Sequence, residues 1–238
     1  MNKIRKALKA VSDKDKAKVL QGFFKTGEGQ YGEGDVFVGV VVPEQRKIAK
    51  AMGNEVSLED IKEILKSVIH EERMVALFIL VEQYKKAGRE TRQKIFDFYF
   101  ANTARINNWD LVDLSAPNIV GDFLLDKERA ILYSFAKSKS LWEKRIAILA
   151  TFTFIKNNEF TDTLKISEML LRDSHDLIHK AVGWMLREVG KRNLKIEVSF
   201  LDEYANKMPR TMLRYAIERF PEELRKMYLG RKEMAKDK

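Results

Sequence analysis

Five residues with helical spacings could do chemistry together: one carboxylate, two indoles and two cations. They are Trp109, Asp113, Arg145, Lys180 and Trp184. Trp109 and Asp113 are four residues apart, as are Lys180 and Trp184, so each pair would lie one turn apart on a helix face. A carboxylate beside aromatic faces can stabilise positive charge developing on a bound molecule. The alternatives are that Asp113 caps a helix or pairs with Arg145, and that both tryptophans belong to the core.

These residues fall in an internal repeat. A basic residue followed by small and apolar ones marks helices at Arg73, Arg145, Lys180 and Arg214. The last three are separated by 35 and 34 residues. The gap from Arg73 to Arg145 is 72 residues, or twice 36, and Trp109 lies at its midpoint, where one more repeat is expected. A period near 35 with two helices per unit is typical of an α-solenoid. This register would place the five residues on one concave face, although repeats this degenerate can also arise by chance.

Composition excludes several classes of protein. The 238 residues are 45% hydrophobic, which is too many for a disordered chain, and include no cysteine, which excludes disulfide scaffolds, thiolate zinc sites and cysteine nucleophiles. Nowhere do ~18 apolar residues follow one another, as a membrane span requires. We therefore expect a soluble, cytoplasmic protein. Its net charge of +9 fits a polyanion partner.

The distribution of glycine and proline predicts helices almost throughout. Only 4 prolines occur, and five of the 12 glycines fall within residues 27–39. We predict an all-α fold in one domain, residues 1–230, with a Gly-rich loop at 27–39 and a polar tail at 231–238. Residues 1–20 read as a single first helix, and 36–42 as a buried extended segment that leads into a helix from Pro43 to Met52. Ser57 and Ser140 each begin a sequence typical of a capping box.

Two further motifs give weak signals. Residues 27–32 match G-x-G-x-x-G, but no strand precedes them and no helix follows directly, so a loop is the better interpretation than a nucleotide site. His175 and His179 are one helical turn apart, as zinc ligands often are, but no third ligand is evident and Ser174 reads as the helix N-cap. We predict no metal site.

At the Trp109 and Trp184 segments the chain resembles the AlkD-type DNA glycosylases, the DNA alkylation repair family of HEAT-like repeats. The resemblance runs from about Leu20 to Phe220. It rests on four segments in order: F-V-G-V-V-V-P-E-Q-R at 37–46, W-D-L-V-D at 109–113, R-I-A-I-L at 145–149 and K-A-V-G-W-M-L-R-E at 180–188. The second and fourth segments are specific when they occur together.

The resemblance implies a right-handed solenoid whose basic concave face binds duplex DNA, and hydrolysis of the N-glycosidic bond of 3-methyladenine and 7-methylguanine types of base. It implies no metal or cofactor, and we expect a monomer. The implied catalytic carboxylate is Asp113, and the family leaves the damaged base in the duplex. The remaining implied site residues are Trp109 and Trp184 at the lesion's deoxyribose and backbone, Arg145 in the active site, Arg46 and Arg187 at phosphates, and Lys180 and Phe23 as further DNA contacts.

The chain also departs from the family pattern. The loop from Gly27 to Gly34 reads as an insertion, Phe23 or Phe24 stands where some members have tyrosine, and Asp176 and Leu177 replace aromatic residues. These changes concern the range of substrates more than the reaction. Some family branches lack the carboxylate and only bind DNA. A non-catalytic solenoid that binds DNA structures or proteins is therefore the alternative function, and Asp113 favours catalysis. Lys180 leaves Schiff-base lyase chemistry as a minor alternative.

Overall fold

A computed structural model describes residues 2–53 and 55–234, and these form fourteen α-helices with short 3₁₀ and π turns. The predicted all-α fold class is confirmed for these residues. The chain divides into two compact units, Met1–Ser115 and Ala116–Lys238. The single domain predicted over residues 1–230 stays a prediction, because a helical repeat array can also divide into two compact halves.

The first unit is built around one buried helix. Its helices are α1 (Asn2–Ala10), α2 (Lys14–Phe23), α3 (Val42–Met52), α4 (Leu58–Leu65), α5 (His70–Lys86), α6 (Arg89–Ala101) and α7 (Trp109–Ser115), with a 3₁₀ turn at Thr103–Arg105. Helix α5 packs against α1, α3, α4, α6 and α7. Every residue from His70 to Val81 is buried, so this helix is surrounded by protein over three turns. It thereby fixes the position of α7.

The N-terminal segment forms two helices, so the prediction of one first helix over residues 1–20 is wrong. The break is at Asp13, whose side chain accepts the backbone N–H groups of Asp15 and Lys16 and caps α2. Asp13 also donates its own N–H to the Val38 carbonyl at 3.0 Å. An aspartate that satisfies the free amides of a new helix start interrupts a helix despite continuous apolar spacing.

The segment 36–42 is extended, as predicted, but only partly buried. Phe37 and Val40 are buried, whereas Val36 and Val41 are more than 40% exposed. One parallel bridge pairs Val36 with Ile69. Gly39 has a φ of 82°, and a Cβ there would lie 1.9 Å from the Asp13 carbonyl oxygen, so only glycine allows this segment to pass so close to α2. The predicted helix from Pro43 is confirmed as α3, which begins at Val42.

The described part of the second unit contains seven helices. They are α8 (Ala130–Ala136), α9 (Leu141–Lys156), α10 (Thr161–Met169), α11 (Asp176–Arg192), α12 (Leu194–Tyr204), α13 (Arg210–Ala216) and α14 (Glu222–Met234), with a π turn at Ala116–Gly121 and a 3₁₀ turn at Ile217–Arg219. Helix α11 lies between α9 and α13, and α9 also packs on the π turn. Alternate helices of the chain are therefore neighbours, as two-helix repeats require.

The predicted repeat register holds for three helices and is wrong at Trp109. Arg145, Lys180 and Arg214 are each the fifth residue of their helix, in α9, α11 and α13. In α7 the fifth residue is Asp113, because Trp109 is the first. This difference of four residues exceeds the usual uncertainty of a helix boundary. Counted from the helix start, the carboxylate takes the place that a cation has in the later helices.

Helix ends also test the predicted caps and tail. Ser57 and Asp60 form the predicted capping box. Ser140 caps α9, but the Glu143 side chain bonds Ser138 instead of completing the box. Helix α14 continues to Met234, through the first half of the predicted tail, and residues 235–238 lie outside the described residues. None of the described helices is both long and apolar enough to cross a membrane.

Candidate functional site

The first turn of α7 presents Trp109 between two residues that bind the helix's own amides. The Asn108 side-chain oxygen accepts the Trp109 N–H at 2.8 Å, and Asp110 Oδ1 accepts the Leu111 N–H at the same distance. The Val112 N–H then makes the first i→i−4 bond, to the Asn108 carbonyl. These bonds satisfy amides that have no partner within the helix and fix where α7 begins.

Trp109 is half-buried and packs on the residues that end α2. Its ring stacks on Phe24 with 5.1 Å between centroids and 8° between planes. Phe23 meets the same indole edge-on at 6.0 Å, and its side chain is 63% exposed. The structure therefore brings the predicted site residues Phe23 and Trp109 together, with one face of the indole covered by Phe24.

Asp113 lies one turn after Trp109 and is half-buried. Beneath it, the fully buried Tyr99 hydroxyl shares a hydrogen bond of 2.9 Å with Ser115, which itself donates to the Leu111 carbonyl. Burial raises the pKa of Tyr99, and the negative charge of Asp113 raises it further, although the Ser115 hydrogen bond opposes both. The carboxylate is thus close enough to Tyr99 to act on it electrostatically, and it retains access to solvent.

A buried network of charged and polar groups lies behind the start of α7. We call it the His70 cluster, and it consists of Asp35, His70, Arg73, Asn108 and Asp110. The His70 ring lies between two carboxylates, with Nδ1 3.0 Å from Asp35 Oδ2 and Nε2 2.8 Å from Asp110 Oδ2. Arg73 and Asn108 also donate to Asp35, at 2.7 and 3.1 Å. Asp35, His70, Arg73 and Asn108 are each at most 5% exposed.

The two carboxylates control the charge of the cluster. Burial alone would lower the pKa of His70, but Asp110 and Asp35 outweigh it and raise this pKa to about 9. Burial would likewise raise the pKa of Asp35, but hydrogen bonds from His70, Arg73 and Asn108 lower it. His70 is therefore an imidazolium at neutral pH.

Sequence reasoning missed this cluster. Its members come from three separate segments, up to 75 positions apart, and the W-D-L-V-D motif alone gives no partner for Asp110. A usable signal does exist: residues 70–73, H-E-E-R, are four consecutive polar residues directly before a run of eight apolar ones. Four polar residues that are all buried need specific partners.

Arg46, the other predicted site residue of the first unit, lies on α3. It is exposed, and its guanidinium lies 4.2 Å from the centre of the Phe78 ring. A guanidinium stacked on an aromatic face keeps its donors directed outward. It can therefore bind an anion in solvent, as the family resemblance implies.

In the second unit, Arg145 is buried and Lys180 is half-exposed. Arg145 is only 4% exposed, and it donates to the Leu177 carbonyl at 2.6 Å, in the first turn of α11. Lys180 pairs with Asp176 at 2.7 Å one turn earlier on α11. The structure therefore brings Arg145 to the start of the helix that carries Lys180.

Trp184 and Arg187 lie further along α11. Trp184 is half-buried, donates to Glu188 at 3.1 Å and meets Phe152 with ring centroids 5.9 Å apart. Arg187 pairs with Glu218, and its side chain is 17% exposed. Both residues have protein partners and partial access to solvent.

The two histidines considered for zinc bind the backbone instead. His175, not the predicted Ser174, is the N-cap of α11, and its Nδ1 accepts the Leu177 N–H at 3.1 Å. His179 Nε2 lies 2.5 Å from the Asp173 carbonyl. Across the described residues, three or more metal-ligating side chains are nowhere grouped so as to hold an ion.

Comparison with known proteins agrees with this architecture. The family model described as DNA alkylation repair enzyme matches residues 4–220. The chain belongs to this family. Membership implies a DNA substrate and a role in DNA alkylation repair. Among solved structures, the chain is similar to a protein described as a predicted DNA alkylation repair enzyme from Enterococcus faecalis, with a TM-score of 0.69 and 16% identity over 89% of this chain and 97% of that one. At this identity the likeness shows the fold alone. No curated protein matches the chain.

Proposed function

We propose that this member of the family is a monofunctional DNA glycosylase that hydrolyses the N-glycosidic bond of cationic N3- and N7-alkylpurines in duplex DNA. The observation that carries the proposal is the half-exposed Asp113 carboxylate, one turn after an indole that is also accessible. Membership of the DNA alkylation repair enzyme family supports the substrate class. The proposed reaction uses neither metal nor cofactor.

The chemistry needs a single carboxylate. An alkylated purine carries a positive charge and leaves as a neutral base, so no general acid is required. Positive charge then develops on the deoxyribose, as on the sugar in glycoside cleavage, and a carboxylate held nearby stabilises it. Asp113 supplies the negative charge that stabilises the sugar, and it can orient the attacking water. Trp109 adds an aromatic face, which contributes about 0.5–2 kcal/mol towards a desolvated cation.

The other predicted site residues have binding or positioning roles in this proposal. Trp184 contacts the DNA backbone near the lesion, and Phe23 extends the aromatic surface beside Trp109. Four cations remain: Arg46, Arg187 and Lys180 neutralise phosphates, whereas Arg145 acts by fixing the start of α11, because its buried guanidinium binds the Leu177 carbonyl.

The test compares Asp113→Asn with wild type on methylated duplex DNA. We expect release of 3-methyladenine and 7-methylguanine under single-turnover conditions to fall by about 10²–10³-fold, which is typical for the loss of one electrostatic stabiliser. The Kd for the duplex should change less than about twofold, because Asn preserves the size of the side chain. Asp97→Asn is the matched control, since Asp97 is an exposed carboxylate on α6 that bonds Gln93.

Three outcomes would contradict the proposal in different ways. Equal base release by wild type and Asp113→Asn would remove Asp113 from the reaction. Tight DNA binding without base release by wild type would make the chain a non-catalytic DNA-binding protein. Absence of any DNA affinity would indicate an adaptor for protein partners.

A further inference from the structure

Both residues that flank Trp109 belong to the His70 cluster. Asp110 follows Trp109 and accepts from His70 Nε2 at 2.8 Å. Asn108 precedes Trp109 and donates to Asp35, which lies 3.0 Å from His70 Nδ1. The residues on either side of Trp109 are therefore linked by hydrogen bonds to one imidazole, directly through Asp110 and by way of Asp35 through Asn108. This imidazole is 2% exposed.

The ring of Trp109 is connected to the same imidazole through aromatic contacts. His70 stacks on Phe37, with 4.6 Å between centroids and 23° between planes. Phe24 lies 5.0 Å from the His70 ring and stacks almost parallel on Trp109. A change at His70 thus reaches the indole by two routes, one through hydrogen bonds and one through packing.

The two hydrogen bonds of His70 depend on its charge. An imidazolium has two N–H donors, whereas a neutral imidazole has one, so only the charged ring can donate to Asp35 and Asp110 together. Arg73, on the same helix, is a further charged group that acts on the ring, and Glu71 follows His70 in the sequence. From α2, Asp15 and Lys16 line a pocket of about 420 Å³ that His70, Glu71 and Asp110 also line. Glu71 accepts backbone amides of Val38, Gly39 and Val40 and so does not compete for the ring.

We propose that His70 is a positioning residue of the glycosylase: by donating to Asp35 and Asp110 at once, it holds the first turn of α7, and with it Trp109 and Asp113, in the orientation that acts on the damaged nucleotide. This inference rests on the proposed function, because it concerns the same carboxylate.

The test uses two variants of the cluster and one control. His70→Gln has its N–H donors on one nitrogen only and removes the charge. Asp110→Asn keeps the shape of the side chain and removes one carboxylate. Glu72→Gln is the matched control. Glu72 is similarly buried on the same helix, but its side chain pairs with Arg5 on α1, at 3.1 Å. All three variants remove a buried ionic interaction, so all should lower the melting temperature.

The first readouts are single-turnover release of 3-methyladenine and its pH profile. We expect His70→Gln to reduce release about tenfold or more at pH 7.5, with the Kd for the duplex unchanged, since small misplacements of reacting groups cost up to 10²-fold. In wild type, release should fall as pH rises through the pKa of His70, about 9. In Asp110→Asn that fall should occur at lower pH, because one of the charges that raises the pKa is gone. Release by Glu72→Gln should match wild type.

A second readout does not require catalysis. The indole N–H signal of Trp109, assigned in the NMR spectrum with Trp109→Phe, should shift in wild type as pH rises through about 9 and lose this response in His70→Gln. Base release by His70→Gln at the rate of Glu72→Gln would overturn the proposal. If wild type releases no base, the proposed function fails instead. The indole signal then decides alone: an unchanged pH response in His70→Gln overturns the role of His70, and a lost response supports it.

Discussion

The two carboxylates of helix α7 are three residues apart and have different surroundings. Asp110 has a side chain 15% exposed and binds His70 on one oxygen and the Leu111 amide on the other. Asp113 is half-buried, and its charge acts on Tyr99. A carboxylate whose two oxygens are both bound by its own chain is suited to a structural role. We therefore propose the catalytic role for Asp113 and a structural role for Asp110.

A buried acid in the second unit makes stability depend on pH. Glu197 is 1% exposed, and burial raises its pKa from 4.5 to about 9 despite the opposing charge of Arg187. Between these values the folded chain holds a proton that the unfolded chain has lost, so stability falls as pH rises from 4.5 towards 9. Glu197→Gln, which cannot ionise, should therefore melt at higher temperature than wild type at pH 8, by at least about 2–4 °C, the shift expected for 1 kcal/mol.

Thermal unfolding at pH 5 and pH 8 checks this expectation. The advantage of Glu197→Gln should shrink at pH 5, where wild type keeps most of the stabilisation. His70 is a second buried group with a raised pKa, and it makes the stability of both proteins depend on pH between its ordinary pKa of 6.5 and about 9. Glu203→Gln, an exposed change on the same helix, should melt like wild type at both pH values. An equal melting temperature for Glu197→Gln and wild type at pH 8 would show that Glu197 is ionised in the folded chain.

At the residue scale, the sequence predicts chemistry best where it is local. The W-D-L-V-D motif places Trp109 and Asp113 one turn apart, and the structure keeps that spacing because both lie on α7. The partner of Asp110 could not be found in this way, since His70 approaches it only after α5 packs against α7. Such contacts depend on tertiary distances that no spacing rule describes.

At the scale of elements, one glycine allows α11 and α12 to pack closely. A Cβ on Gly190 would lie 1.6 Å from Glu197 Oε2, so Gly190→Ala must displace that side chain. We expect the substitution to destabilise the protein by about 1–3 kcal/mol through overpacking, which exceeds the gain of up to about 1 kcal/mol from alanine's helix propensity. Denaturant unfolding measures the difference.

Two variants make this prediction specific. Gly22→Ala places the same change on α2, where a Cβ would meet nothing within 4 Å, and should stabilise by about 0.5–1 kcal/mol. In a double-mutant cycle, Glu197→Ala should remove most of the cost of Gly190→Ala, because the displaced carboxyl is absent. Independent effects of the two substitutions would show that α11 and α12 adjust without the Glu197 contact.

The elements themselves follow from the sequence except where a local bond competes with periodicity. Apolar spacing and caps predict α3 and α4 closely, since Pro43 and Ser57 define their starts. Spacing fails at Asp13, whose side chain ends one helix and begins the next. The repeat spacing is also one turn wrong at Trp109, because a residue that matches the period in the sequence does not lie at the equivalent position of its helix.

At the scale of the whole molecule, the sequence predicts charge without geometry. The net charge of +9 predicts attraction to DNA wherever the individual cations lie. Family membership then identifies the polyanion as DNA that requires alkylation repair. Binding and the proposed cleavage should respond differently to salt. The electrostatic attraction that drives binding is the sum of contributions from many phosphates, whereas cleavage takes place within the complex that is already formed.

Salt should therefore weaken binding and leave the chemical step unchanged. Each phosphate that a cation neutralises adds about 0.9 to the slope of log Kd against log salt concentration, so Arg46→Gln should reduce the slope by about 1. Lys94→Gln, which removes a cation already paired with Glu90, should leave the slope unchanged. Fluorescence anisotropy of a labelled duplex at several salt concentrations gives the slopes, and single-turnover base release at saturating protein gives the chemical rate. A wild-type Kd independent of salt would exclude phosphate contacts as the source of affinity. A chemical rate that falls with salt at saturating protein would contradict the proposed role of Asp113. It would mean that a surface charge, which salt screens, stabilises the transition state instead of the partly desolvated Asp113.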